Sequence, residues 1–134
     1  TVLTAGGGAP GPQNNLNAEI YYPPYLYKKD WSGSLAPRPA ITSAPKAVTW
    51  GQTFDVGTDE GGISRVTWVK TGSATHTLDF DQRFIKPAYT MSGKTVNITM
   101  PASANVAPPG YYMLFVFNSA GVPSVARIIK VGAY

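Results

Sequence analysis

The stretch "GYYMLFVFNSAGVPSVARIIKV", residues 110–131, limits what this chain can fold into more than any other part of it. Two apolar runs, at about 111–118 and 124–131, flank "NSAGVP", which supplies Asn, Gly and Pro for a reversal. The pair predicts a β-hairpin. The same two-residue alternation recurs upstream. "TWGQTFDVGT" sets Phe54 and Val56 on one face of a strand and Asp55 on the other. "ISRVTWVK" sets Val66 and Trp68 against Arg65, Thr67 and Val69, and "KTVNITMP" aligns Val96, Ile98 and Met100. "RFIKPAYTM" adds a short irregular strand. No segment is long enough and 3.6-periodic enough to be a helix.

The amino-terminal third is looser. Residues 1–15 read as a strand followed by the loop "AGGGAPGPQNN". "AEIYYPPYLY", residues 18–27, is expected to be extended, because Pro23 and Pro24 oppose helix and suit an edge strand or bend. Residues 28–47 should run over the surface, with a short edge strand near residues 38–42. About seven short strands with turn signals between them predict an all-β, immunoglobulin-like antiparallel sandwich. Within it, Gly110-x-Tyr112 stands where such sandwiches place a tyrosine whose hydroxyl ties the penultimate strand to the preceding corner. An ordinary amphipathic tyrosine is the alternative.

Composition narrows function mainly by exclusion. At 134 residues the chain is long enough for one domain with a real core. It has no cysteine, so no disulfide framework or thiolate metal cage is available, and the compartment stays open. No apolar run approaches the ~20 residues of a membrane-spanning helix, and nothing reads as a signal peptide. Eleven Lys and Arg against seven acids give +4, but only Lys28 and Lys29 adjoin. Nucleic-acid binding needs a concentrated basic stripe, which is missing. The 14 Gly and 12 Pro suit a rigid, turn-rich β domain. The chain begins inside a strand-like run, "TVLTAGGG", as a piece of a longer protein would.

The only histidine, His76, lies in the polar turn "GSATHTLDFDQRF", residues 72–84. A Ser-His-Asp triad would need Ser73 with Asp79 or Asp81, too close in sequence to argue for that geometry and without a nucleophile-elbow motif. Asp79 and Asp81 alternate with Leu78 and Phe80, so both carboxylates face one way, to hold a cation or to solvate a loop. Tyr25 and Trp31, in polar loops, could form a sugar-binding platform, whereas Trp50 and Trp68 are expected in the core. "NIT", residues 97–99, matches a glycosylation sequon but lies within a predicted strand. A neutral imidazole suits copper or zinc, yet one side chain cannot hold the ion against water. On the residues alone, His76 is either a hydrogen-bonded loop histidine or one ligand of a shared site.

Four words in order carry a resemblance: "AEIYYPPYLY", "RP", "ATHTLDFDQR" and "APPGYYMLFVFNSAGVPSVA". From "GGGAPGPQNN" to its end the chain is similar to the carboxyl-terminal region of the galactose oxidase and glyoxal oxidase family, the copper-radical oxidases. The resemblance implies that residues 1–15 are a remnant of the last blade strand of a propeller, and residues 16–134 its immunoglobulin-like third domain. In that family the third domain packs on a seven-bladed amino-terminal propeller and sends a hairpin up its channel to place one histidine on copper. His76, in "ATHT", is the matching position. The remaining ligands, a histidine and two tyrosines with one crosslinked to cysteine, belong to the propeller.

The implied parent is a secreted enzyme that oxidises a primary alcohol or aldehyde, or a carbohydrate bearing one, and reduces dioxygen to hydrogen peroxide. The chain alone should be inactive. Thr75, Thr77 and Asp79 are expected to satisfy the hydrogen bonds of the loop and its imidazole, and Asp81, Gln82 and Arg83 to anchor its base. Away from the propeller, the first strand should be disordered or re-paired, and exposed edges should favour self-association. The competing expectation is a non-catalytic β-sandwich module that binds carbohydrate or protein through Tyr25 and Trp31.

Overall fold

Where apolar residues alternate the chain is extended, and where Gly and Pro interrupt them it turns. The structure, a computed structural model, describes residues 1–8, 11, 12 and 15–132. The loop expected at "AGGGAPGPQNN" therefore falls partly on Ala9, Pro10, Gln13 and Asn14, which lie outside the described residues. In order the strands are β1 (Val2–Ala5), β2 (Ala18–Tyr21), β3 (Ile41–Ser43), β4 (Ala47–Val48), β5 (Thr53–Thr58), β6 (Arg65–Lys70) and β7 (Ala74–Thr75). They continue with β8 (Leu78–Asp79), β9 (Phe84–Ile85), β10 (Ala88–Ser92), β11 (Thr95–Thr99), β12 (Gly110–Phe117) and β13 (Arg127–Val131).

Two units divide the chain, Thr1–Ala36 and Pro37–Tyr134. In the first, β1 and β2 pair antiparallel from Val2↔Tyr21 to Ala5↔Ala18, so the first strand is ordered and paired. The fully extended stretch expected at residues 18–27 is interrupted by a 3-10 turn, Pro24–Leu26. Proline opposes helix interiors but not helix starts: Pro24 opens the turn, where its fixed φ helps and its missing N–H costs nothing. Leu26 is thereby buried.

The second unit is the sandwich. One sheet has the order β10-β11-β5-β3 and the other β4-β13-β12-β6-β9. All pairings are antiparallel except the short parallel one between β13 and β4. This is the immunoglobulin arrangement, with β3, β5, β11 and β10 as one layer and β6, β12 and β13 as the heart of the other. Val56, Trp68, Val96 and Ile98, expected to face inward, have no exposed surface, and neither do Tyr112, Leu114, Val116, Ile129 and Val131. Trp50 is only half-buried; its Nε1 donates to the Ala107 carbonyl at 2.8 Å while its rings pack on the core.

The immunoglobulin core usually holds a tryptophan against an inter-sheet disulfide. This chain has no cysteine, and aromatic rings take that space. Trp68 on β6 meets Phe54 edge-on, with ring centroids 5.9 Å apart, and Tyr112 at 5.8 Å. Each such pair adds about 0.5–1.5 kcal/mol beyond its burial. The Tyr112 hydroxyl donates to the Pro108 carbonyl at 2.7 Å, so the predicted tyrosine corner is present.

The carboxyl-terminal hairpin differs from its sequence outline in one respect. Strand β13 starts at Arg127 rather than near residue 124, because the Ser124 side chain takes a ladder hydrogen bond. Its Oγ accepts the Val116 N–H at 3.1 Å while its own N–H donates to the Val116 carbonyl at 2.8 Å. Arg38 fixes this segment, its guanidinium donating to the Pro123 and Ser124 carbonyls at 2.8 and 2.6 Å.

The two outer faces contrast. That of the β10-β11-β5-β3 sheet is polar: Thr53 and Thr99 hydroxyls meet at 3.2 Å, and the Asn97 amide donates to Asp55 at 2.7 Å. On the other sheet Tyr111, Met113, Phe115 and Phe117 alternate with the buried Tyr112, Leu114 and Val116, and Ile128 pairs with Met113. Thr67, expected on the outside of β6, is buried.

Burial raises the Tyr112 pKa, and the Asp81 charge adds to the shift. The fold therefore favours the neutral phenol. Its contribution is complete below the ordinary value of 10.0 and is lost as pH rises through the higher folded value. Tyr112→Phe should cost about 0.5–1.5 kcal/mol in urea unfolding at neutral pH, since it leaves the half-buried Pro108 carbonyl without this donor. The same variant should lose less stability than wild type between neutral pH and pH values above 10.0. Equal alkaline slopes would rule out this role.

Candidate metal-ligand site

The connection between β6 and β9 leaves a well-fixed strand. At its base the Lys70 N–H donates to the Arg83 carbonyl at 3.0 Å. Thr71 donates to the Tyr111 carbonyl through both N–H, at 2.9 Å, and Oγ1, at 3.1 Å. Lys70 then lies across the start of β12, its side chain 8% exposed, and Nζ reaches Asp81 at 2.6 Å. Gly110 makes this path possible. Its φ is +145°, and a Cβ there would stand 2.8 Å from Lys70 Cε.

Above the base, β7 and β8 pair as a small hairpin with Ala74↔Asp79 and Thr75↔Leu78. Its two turn residues are His76 and Thr77, with φ of 53° and 68°. A two-residue hairpin turn of type I′ requires positive φ at both positions, usually met by Asn and Gly. A β-branched threonine there is an outlier. Asp79 braces the stem: Oδ1 accepts the Ser73 N–H at 2.9 Å and the Asp81 N–H at 3.1 Å. Gly72 leaves room for it, since a Cβ would fall 2.7 Å from Asp79 Oδ2.

The His76 ring is exposed, and its Nδ1 lies 2.8 Å from Thr75 Oγ1. Nε2 has no hydrogen-bond partner among the described residues. Ser73 engages Asp79 through its backbone and does not meet the imidazole, so no triad forms. Asp79 and Asp81 are spent on the stem and on Lys70. Arg83 contributes its carbonyl to Lys70, and Gln82 offers its carbonyl to Arg83 Nη1 at 3.2 Å. Leu78, Phe80 and Phe84 are left exposed beside them. The sequence reading missed Lys70 and Gly72, and it took Gly110 as part of the tyrosine corner without its role in making room for Lys70. The signal for Gly72 was its place at the mouth of a polar turn; Lys70 carries none.

Among the described residues no group of three or more His, Cys, Asp or Glu could hold a metal ion. One neutral imidazole with a free Nε2 fits copper as a single donor of a shared site. The other donors would have to come from outside this set.

In the first unit Trp31 is 99% exposed, with a φ of 61°. Asp30 Oδ1 accepts the Ser32 N–H at 3.0 Å and Ser32 Oγ the Ser34 N–H at 3.2 Å, closing the turn. Hydrogen bonds from Ser32 hold the Asp30 carboxyl below its ordinary range. Tyr25 is also exposed.

The profile of the galactose oxidase-like Early set domain matches residues 38–131. A galactose oxidase of Gibberella zeae is 42% identical over 134 residues, covering 97% of this chain and 19% of that protein. The aldehyde oxidase GLOX of Vitis pseudoreticulata is 34% identical over 125 residues, covering 86% of this chain and 23% of that protein. Among solved structures, a fungal alcohol oxidase of the AA5 family in complex with copper superimposes with a TM-score of 0.84 at 35% identity. That match covers 96% of this chain and 28% of the other. The chain thus spans about a fifth of the length of these curated relatives. With the immunoglobulin-like sandwich, the profile match over most of its length and the identity to these oxidases, this chain belongs to the galactose oxidase-like Early set domain family.

Proposed function

We propose that this chain is the carboxyl-terminal region of a secreted copper-radical oxidase and lends one imidazole, His76, to its copper. The observation that carries the reading is an exposed imidazole on a strained turn, above a stem braced by Asp79 and Lys70. Positive φ at a bulky residue costs about 1–3 kcal/mol and persists where the surroundings enforce it, most often at functional sites. Copper, when bound, would supply the two-electron oxidation of a primary alcohol or aldehyde and the reduction of dioxygen to hydrogen peroxide. The copper complex of the similar alcohol oxidase supports this choice of metal.

Residues 1–15 then belong to the last blade of an amino-terminal, seven-bladed propeller, and residues 16–134 to the domain that carries the hairpin. The propeller is the partner. Leu78, Phe80 and Phe84 at the hairpin, and Tyr111 and Ile128 on the outer face, provide apolar surface for such a neighbour. In its absence the same surface favours self-association.

In the full-length parent, His76→Ala should lose bound copper, measured by metal analysis, and peroxide production from primary alcohols. Full copper loading with undiminished peroxide would reject the ligand role. The 134-residue chain supplied with copper should give no peroxide above free copper. Turnover matching the parent would show that the chemistry needs no propeller.

One observation favours a second reading, a module that binds carbohydrate or protein. Trp31 presents its whole indole from a closed turn, as a stacking platform for a sugar would. Calorimetric binding of glycans that disappears in Trp31→Ala, with thermal stability unchanged, would establish it. Wild-type protein that binds no glycan would remove it.

A further inference from the structure

Resting on the reading of His76 as a ligand, we infer that Thr75 is its positioning residue, selecting Nε2 as the nitrogen offered to the metal. Three side chains of the turn could have served. Asp79 is committed to the Ser73 and Asp81 N–H groups, and Thr77 carries the strained φ without touching the ring. Thr75 alone reaches it, with Oγ1 at 2.8 Å from Nδ1.

Two properties make this contact directional. Thr75 is paired with Leu78 in the β7–β8 ladder, so its backbone is fixed. Its β-branched side chain has restricted χ1 freedom, which holds the hydroxyl in place. A half-turn of the imidazole about Cβ–Cγ would put Cδ2 where Nδ1 sits and Cε1 where Nε2 sits, and the hydrogen bond to Nδ1 opposes that flip. The hydroxyl can also accept a hydrogen bond from Nδ1–H, which leaves the Nε2 lone pair free. Metal-bound histidines commonly donate their second ring N–H to an oxygen in this way, and loss of such a partner weakens metal affinity about 10- to 100-fold.

The test uses the metal-free full-length parent, titrated with copper against a chelating indicator. Thr75→Val should raise the copper dissociation constant about 10- to 100-fold, and Thr75→Ser should restore it. The position is exposed, so the metal-free melting temperature should not move, and Thr75→Ala repeats the test with a smaller side chain. Pulsed electron paramagnetic resonance of the copper-loaded variants supplies a second readout. The modulation from the remote imidazole nitrogen should change in Thr75→Val and return in Thr75→Ser.

Unchanged affinity and modulation in Thr75→Val, with His76→Ala losing copper, would overturn the role of Thr75 and leave the ligand reading standing. Equal losses in Thr75→Val and Thr75→Ser would likewise overturn it, because the hydroxyl would not be the cause. Copper retained by His76→Ala would overturn both.

Discussion

The packing of Trp68 between the sheets is the constraint on which the rest depends. It sits on β6, has no exposed surface, and touches one ring of the opposite sheet, Phe54 on β5, and one of its own sheet, Tyr112 on β12. In a sandwich without cysteine, this aromatic cluster is what fixes one sheet against the other. Its indole N–H is buried without a hydrogen-bond partner among the described residues, a cost of about 1–3 kcal/mol that the surrounding contacts must outweigh. Strand β6 lies between β12 and β9 in its sheet. The His76 hairpin starts there.

From that base outward the means of support changes. Inside the sandwich, burial dominates. At the mouth of the hairpin the supports are polar: Thr71 on the Tyr111 carbonyl, Lys70 on Asp81, Asp79 on two backbone N–H groups. At the tip little remains but the ladder of four residues and the Thr75 hydroxyl. This gradient suits a segment that must project from its own core. Hydrogen bonds between near neighbours in sequence can brace a stem where no apolar surface is available. Tyr112 links the regimes, packing on Trp68 while its hydroxyl ties the strand whose first residue, Gly110, makes room for Lys70.

The contrast between the outer faces bears on how such a domain is used. Paired threonines and the Asn97–Asp55 contact cover one sheet with groups that water tolerates. The sheet that carries the hairpin shows aromatic and aliphatic side chains outward. That asymmetry leaves Thr67 buried on a face where alternation alone would place it in water. The sheet from which the His76 hairpin leaves is therefore also the one with apolar surface to cover.

Period-two alternation, written into consecutive residues, made the sandwich strands legible: Phe54 with Val56, Val66 with Trp68, and Val96 with Ile98 face the core as read. Gly110-x-Tyr112 marked the corner because that motif is local. His76 stood out as the only imidazole of the chain, and its motif was one of the four words that carried the family resemblance. Other features had no local signature. Arg38 finds carbonyls 85 and 86 positions away, Lys70 finds a carboxylate 11 positions on, and Ser124 delays β13 by bonding across the hairpin. Such polar contacts join single residues at arbitrary separations and leave no periodic trace. By itself the sequence determined which residues turn inward and where the chain reverses, since both follow from neighbouring side chains. Only the tertiary structure decided that His76 stands on a positive-φ turn with Thr75 at its Nδ1, because that arrangement depends on where β6 and β9 hold the ends of the loop.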